Sequence, residues 1–99
     1  MRKRQTNRST VGALSELRAA ADLIKKGYEV FRALDPSASC DLIALKEGRT
    51  LRVQVRTAET QINKDGSKYI NCHKSPKDEG RTDLYAFVLD DQIIYEEIG

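Results

Sequence analysis

Residues 40–57 read CDLIALKEGRTLRVQVRT. Both ends are rich in Val, Ile and Leu, and Glu47-Gly48-Arg49 between them has turn chemistry. The stretch predicts two adjacent strands, 40–46 and 51–57, joined by a short connection. The first is nearly all apolar apart from Asp41. The second alternates, with Leu51, Val53 and Val55 on one face and Arg52, Gln54 and Arg56 on the other. Gln54 and Arg56 then point the same way, about 7 Å apart by strand rise.

Upstream, 28–33 (YEVFRA) predicts another strand, and 34–39 (LDPSAS) a loop broken at Pro36. Before them a helix is expected from an N-cap at Thr10 or Ser9 to about Lys26, stopping at Gly27. Val11, Leu14, Leu17, Ala21 and Ile24 recur at helical spacing and mark its apolar face. Downstream, the strand from 51 can run on to about Ile62. Asp65-Gly66 is a hairpin signal, and 67–73 returns as a strand. Residues 74–82 form a polar connection with at most one helical turn after Pro76. Strands 84–89 and 93–98 follow. One helix followed by five or six strands predicts an α/β (α+β) domain, a mixed sheet with the helix on one face. Residues 1–9 read as a flexible basic arm and 10–99 as one domain.

Composition narrows the function classes. With 39% hydrophobic and 32% charged residues in a chain of 99, this is a globular domain, neither disordered nor fibrous. No apolar run approaches the roughly 18 residues of a membrane span, and no secretory signal is expected. Cys40 and Cys72 match no metal-ligand spacing and read as reduced thiols, so a cytoplasmic or nucleoid-associated location is expected. A lone histidine, His73, excludes multi-histidine zinc sites and disfavours Ser-His-Asp chemistry. Net charge is only 17 − 15 = +2, but it is unevenly placed. Arg2, Lys3, Arg4 and Arg8 carry the start with no acid among them, while Asp90, Asp91, Glu96 and Glu97 carry the end. Such an arm either binds phosphate or is simply solvated.

Three groups of polar residues stand where the pattern asks for apolar ones. On a helical wheel Glu16 falls between Leu23 and Ala20, inside the apolar arc. A carboxylate there costs several kcal/mol unless it is paired or bound to a cation. It either binds something, snorkels outward or pairs with a base. Asp41 opens an otherwise apolar strand, as a site residue or as a cap for the preceding loop. Gln54 and Arg56 form either a site or a solvated edge face. Adjacent strands can place Asp41 beside Gln54 and Arg56, and the packed helix can bring Glu16 to the same place.

These residues resemble the PD-(D/E)XK nuclease superfamily, most closely the small group I intron-associated homing endonucleases and more distantly the Holliday-junction resolvases. The likeness lies in Gly12-Ala13-Leu14-Ser15-Glu16, in GYEVFRAL, in CDLIAL and in LRVQVRTA (51–58). It implies a restriction-endonuclease-like core whose active centre is Glu16, Asp41, Gln54 and Arg56. It also implies DNA cleavage with Mg2+, Mn2+ substituting. Asp41 would be the main metal ligand, with the Gln54 amide oxygen, the Val55 carbonyl and Glu16 completing the set. Three positions depart from the family pattern: Cys40 precedes Asp41 in place of Pro, Gln54 replaces an acid, and Arg56 replaces Lys. Arg cannot shed a proton in a protein, so Arg56 could only orient water or stabilise charge.

DNA contact is expected from the arm (Arg2, Lys3, Arg4, Arg8) and from Lys64, Lys68, Lys74, Lys77 and Arg81. His73 and Tyr69 either approach phosphate or base or, as the preferred reading, are a surface His and a packed Tyr. The acidic end should avoid DNA or meet a neighbouring subunit. Duplex cleavage needs two sites, which implies a homodimer or homotetramer. The alternatives are a nucleic-acid-binding relative that has lost cleavage through Arg56, or a small interaction domain.

Overall fold

A computed structural model describes residues 7–98. In chain order it contains α1 (Arg8–Lys25), β1 (Glu29–Arg32), β2 (Leu42–Lys46), β3 (Arg49–Thr57), β4 (Glu59–Ile62) and β5 (Lys68–Asn71). A 3-10 turn (Pro76–Asp78), β6 (Leu84–Val88) and β7 (Ile93–Glu97) follow. The main sheet has the order β1-β2-β3-β6-β7, and β4 and β5 form a separate hairpin. Among the described residues only β3 and β6 pair in parallel, so the sheet is mixed as expected. The chain leaves β3, builds the hairpin and the 3-10 turn, and re-enters beside β3.

The apolar alternation of β3 is realised in packing. Leu51, Val53 and Val55 join Leu42, Ala44, Leu84, Ala86 and Val88 under Ala19 and Leu23 of α1. The opposite face carries a smaller cluster of Ala58, Tyr85, Phe87 and Leu89. The Tyr85 and Phe87 rings stack there with centroids 5.1 Å apart. Within the described residues, no helix is long and apolar enough to cross a membrane.

Four local expectations are corrected. The helix starts at Arg8, because Asn7 rather than Ser9 or Thr10 is the cap: its side chain accepts from Thr10 N at 3.0 Å. Arg8 and Ser9 therefore belong to the helix and not to an arm. The strand from 51 does not continue to Ile62. It breaks at buried Ala58, whose N–H donates to Val88 O at 2.9 Å, and β4 departs into the hairpin. The turn after Lys46 is tighter than expected: Glu47 and Gly48 both take positive φ, 52° and 77°, and β3 begins at Arg49.

The largest correction is the rotation of α1. Leu14, Leu17 and Ile24 are 52%, 54% and 58% exposed, while Ser15, Ala19 and Leu23 are buried. Three polar contacts turn the helix this way. Ser15 Oγ bonds Thr57 Oγ1 at 2.7 Å. Arg18 Nη1 donates to Leu89 O at 2.5 Å. Tyr95 OH donates to Asp22 Oδ2 at 2.5 Å. A stripe of Ser and Ala also lets the helix approach the sheet more closely than a stripe of Leu would.

Candidate active site

The site begins as a fork between two strands. β2 starts at Leu42, paired with Val53, whereas β3 continues to Thr57. At the fork Asp41 N donates to Val53 O at 3.0 Å, and Val55 N donates to Asp41 Oδ2 at 2.8 Å. Those two bonds straddle Gln54. The Asp41 carboxylate therefore takes the place of a missing strand residue and does not cap its own loop. One of its oxygens is used by Val55 N–H, leaving the other for a ligand. A residue's N–H and C=O leave a strand on the same edge, so the Val55 carbonyl also faces the open fork.

Glu16 approaches from α1. It lines a pocket of about 330 Å³ together with Asp41, Arg32, Asp35, Cys40 and neighbouring loop residues. Arg32 Nε lies 3.8 Å from Glu16 Oε1, with both side chains partly exposed. That pair is long and solvated, and it does not win. The Glu16 carboxyl is pushed above its ordinary value, first by burial and then by repulsion from Asp41, with Arg32 opposing. Two carboxylates thus share the pocket with incomplete cationic compensation.

Gln54 and Arg56 do not line this pocket. Their side chains leave β3 on the face opposite α1, since Val53 and Val55 face the helix. Gln54 pairs with Tyr85 in register, and Arg56 with Phe87. The Arg56 guanidinium is engaged: Nη2 donates to Asp78 Oδ2 at 3.2 Å and Nη1 to Val55 O at 3.4 Å. Among the described residues, no cluster of three or more His, Cys, Asp or Glu side chains is arranged to hold a metal. A cation here would take Glu16, Asp41 and a neutral oxygen such as the Val55 carbonyl. That all-oxygen donor set suits a hard divalent ion that keeps water ligands.

The predicted DNA-contacting residues fall into groups. Arg2, Lys3 and Arg4 lie outside the described residues. Arg8, Arg56 and His73 line a groove of about 910 Å³ between the start of α1, the end of β3 and the hairpin. Lys64 and Lys68 are exposed on the hairpin, and Lys77 and Arg81 are exposed at the 3-10 turn. Lys74 is engaged by Glu96 in an ion pair, and Arg49 lies 3.9 Å from Glu97. The acidic end therefore folds against bases of its own chain. His73 is exposed as expected, but Tyr69 is 45% exposed and not packed, its OH donating to Gln61 Oε1 at 2.5 Å.

Sequence reading missed Asp78 and Tyr85. Asp78 is only 7% exposed, and Tyr85 OH donates to its Oδ2 at 2.6 Å. Asp78 sits in a polar stretch, KSPKDEGRT, where an acid reads as solvated.

Comparison with known proteins agrees with this architecture. The sequence profile of the PD-(D/E)XK endonuclease family matches residues 6–93. Protein 5.3 of Escherichia phage T7 is 33% identical over 91 residues, covering 88% of this chain and 77% of the phage protein. The bacterial homing endonuclease I-Ssp6803I superposes with a TM-score of 0.69 at 17% identity, covering 93% of this chain and 70% of that enzyme. With the mixed sheet, the forked strands and a family match along nearly the whole described chain, this protein belongs to the PD-(D/E)XK endonuclease family.

Proposed function

We propose that the protein is a Mg2+-dependent endonuclease that hydrolyses phosphodiester bonds in DNA. The observation that carries this reading is the fork, where Glu16 and Asp41 share one pocket beside the outward-facing Val55 carbonyl. Glu16 and Asp41 would hold the ion, with Val55 O as a neutral donor and Mn2+ as a substitute; the Gln54 amide, which leaves β3 on the other face, would join only by reaching around the strand edge. When bound, the ion would polarise the scissile phosphate and lower the pKa of water. Asp41 is fixed by Val55 N–H, so its second oxygen is presented without a rotamer search. Gln54 in place of an acid leaves one fewer negative charge, which favours a single tightly held ion. Arg56 stays charged throughout and contributes by stabilising the anionic transition state.

DNA would lie along the groove that holds Arg8, Arg56 and His73, with exposed Lys64, Lys68 and Lys77 as further phosphate contacts. A two-stranded ribbon such as β4–β5 has the dimensions to enter a major groove. Lys74 contributes less, because Glu96 already neutralises it. Cutting both strands of a duplex requires two such sites, so the active species would be a homodimer or homotetramer in the cytoplasm or nucleoid.

A second reading is a DNA-binding relative without cleavage. It is favoured by the Arg56 guanidinium, which is tied to Asp78 outside the carboxylate pocket. Supercoiled plasmid and a synthetic four-way junction, each with Mn2+ or EDTA, separate the two. The nuclease reading predicts Mn2+-dependent nicking that is abolished by Asp41→Ala and kept or raised by Arg56→Lys. Cleavage that survives Asp41→Ala rejects the site, and salt-sensitive binding without any cleavage supports the second reading.

A further inference from the structure

Position 56 carries an arginine whose guanidinium is held on a buried acid. Asp78 Oδ2 accepts from both Arg56 Nη2 at 3.2 Å and Tyr85 OH at 2.6 Å. The Asp78 side chain is nine-tenths buried beside an Arg56 side chain that is only 30% exposed. The segment carrying it is itself fixed. Ser75 Oγ caps the 3-10 turn by accepting from Lys77 N at 3.3 Å, and Ser75 N donates to the Tyr85 hydroxyl at 3.4 Å. The Asp78 carbonyl closes the other end, accepting from Arg81 N and Thr82 N at 3.1 and 3.0 Å. Tyr85 is anchored in turn by its stack on Phe87 and by its place in β6 opposite Gln54.

A buried carboxylate is costly unless a cation and further donors satisfy it. Here it has both. Arginine suits the task because its planar fork reaches Asp78 with one nitrogen while another meets the Val55 carbonyl at 3.4 Å. We infer that Asp78, oriented by Tyr85, is a positioning residue that holds the Arg56 guanidinium beside the Val55 carbonyl at the fork. The inference rests on the nuclease reading for its catalytic consequence but not for the contact itself. Asp78 acts through Arg56, so its loss should lower turnover more than DNA affinity.

The test uses the full chain and two readouts. The first is plasmid cleavage with Mn2+ by wild type, Asp78→Asn, Tyr85→Phe, Arg56→Ala and the double variant Arg56→Ala/Asp78→Asn. Asp78→Asn should lower kcat by roughly tenfold or more with KM little changed, and Tyr85→Phe less, in the same direction. In the Arg56→Ala background, Asp78→Asn should add nothing. The second readout is the 15N signal of the Arg56 side chain, which needs no cleavage. Restricted guanidinium rotation in wild type should be lost in Asp78→Asn and eased in Tyr85→Phe, which keeps the ring packing if Asp78→Asn fails to fold. Equal Asp78→Asn losses with and without Arg56 would overturn a role through Arg56. An Arg56 signal unchanged in both Asp78→Asn and Tyr85→Phe would overturn the positioning itself. A wild type that leaves plasmid intact removes the nuclease reading and the catalytic role, and the side-chain signal then decides the contact alone.

Discussion

Glu16 and Asp83 are both carboxylates near an arginine, and their environments push them in opposite directions. Glu16 is raised by burial and by Asp41, against Arg32. Folding then binds its proton more tightly than the unfolded chain does. The Glu16 contribution to the stability of the metal-free protein should therefore fall as pH rises through the ordinary carboxylate range and above it, against the opposite trend of the lowered aspartates. Glu16→Gln should stabilise the protein at neutral pH in EDTA, by no more than about 1 kcal/mol, because the group is partly exposed and screened. Urea unfolding of both proteins in EDTA, at acid and neutral pH, checks the sign. Asp83 is lowered by hydrogen bonds from the Arg52 side chain and backbone. It accepts Arg52 Nη2 and Nε at 3.0 Å and the Arg52 N–H at 2.8 Å, tying β3 to the start of β6. That stabilisation is present above the ordinary Asp range and fades as pH falls below it. Asp83→Asn should cost about 1 kcal/mol at neutral pH after solvent screening, read from the same curves. Glu16 and Asp41 were legible because each is an acid where periodicity asks for an apolar residue. Asp78 was not, because its burial depends on Tyr85 seven positions later and on Arg56 from another element.

At the scale of elements, the strands were more legible than the helix. β2 follows from its apolar run, β3 from its alternation, and their junction from the Glu47-Gly48 turn, which needs no tertiary information. The orientation of α1 does need it. Leu14, Leu17, Ala21 and Ile24 make a convincing apolar stripe, yet the buried stripe is Ser15, Ala19 and Leu23. The Ser15–Thr57, Arg18–Leu89 and Asp22–Tyr95 contacts each join residues far apart in sequence, so no local period records them. The β4–β5 hairpin was half legible. Asp65-Gly66 announces the reversal, but its departure from the main sheet depends on Ala58 pairing with Val88. Lys64 and Lys68 are exposed on this hairpin, away from both core clusters. Replacing both by Ala should leave stability within about 0.5 kcal/mol and lower the slope of log K against log salt by about 2. DNA-binding isotherms across a salt series measure it.

At the scale of the whole molecule, one thick and one thin layer cover the sheet. Among the described residues, α1 covers one face, while the other carries the small Ala58–Tyr85–Phe87–Leu89 cluster, with Cys72, Ile94 and Ile98 against it, and the 3-10 turn. This arrangement leaves the open end of β3 accessible between the layers, where Asp41 ends its own strand early. The fork could be inferred from residues 40–57 only as two neighbouring strands, since their unequal ends are set by the loop before Asp41. On the proposed function, this opening holds a divalent ion through Asp41 and Glu16. Calorimetric titration of Mn2+ into the metal-free protein with a DNA duplex, for wild type and Asp41→Ala, tests it most directly. Wild type should bind Mn2+ saturably, and a folded Asp41→Ala should not. Equal binding by both proteins, or none by wild type, would contradict this assignment.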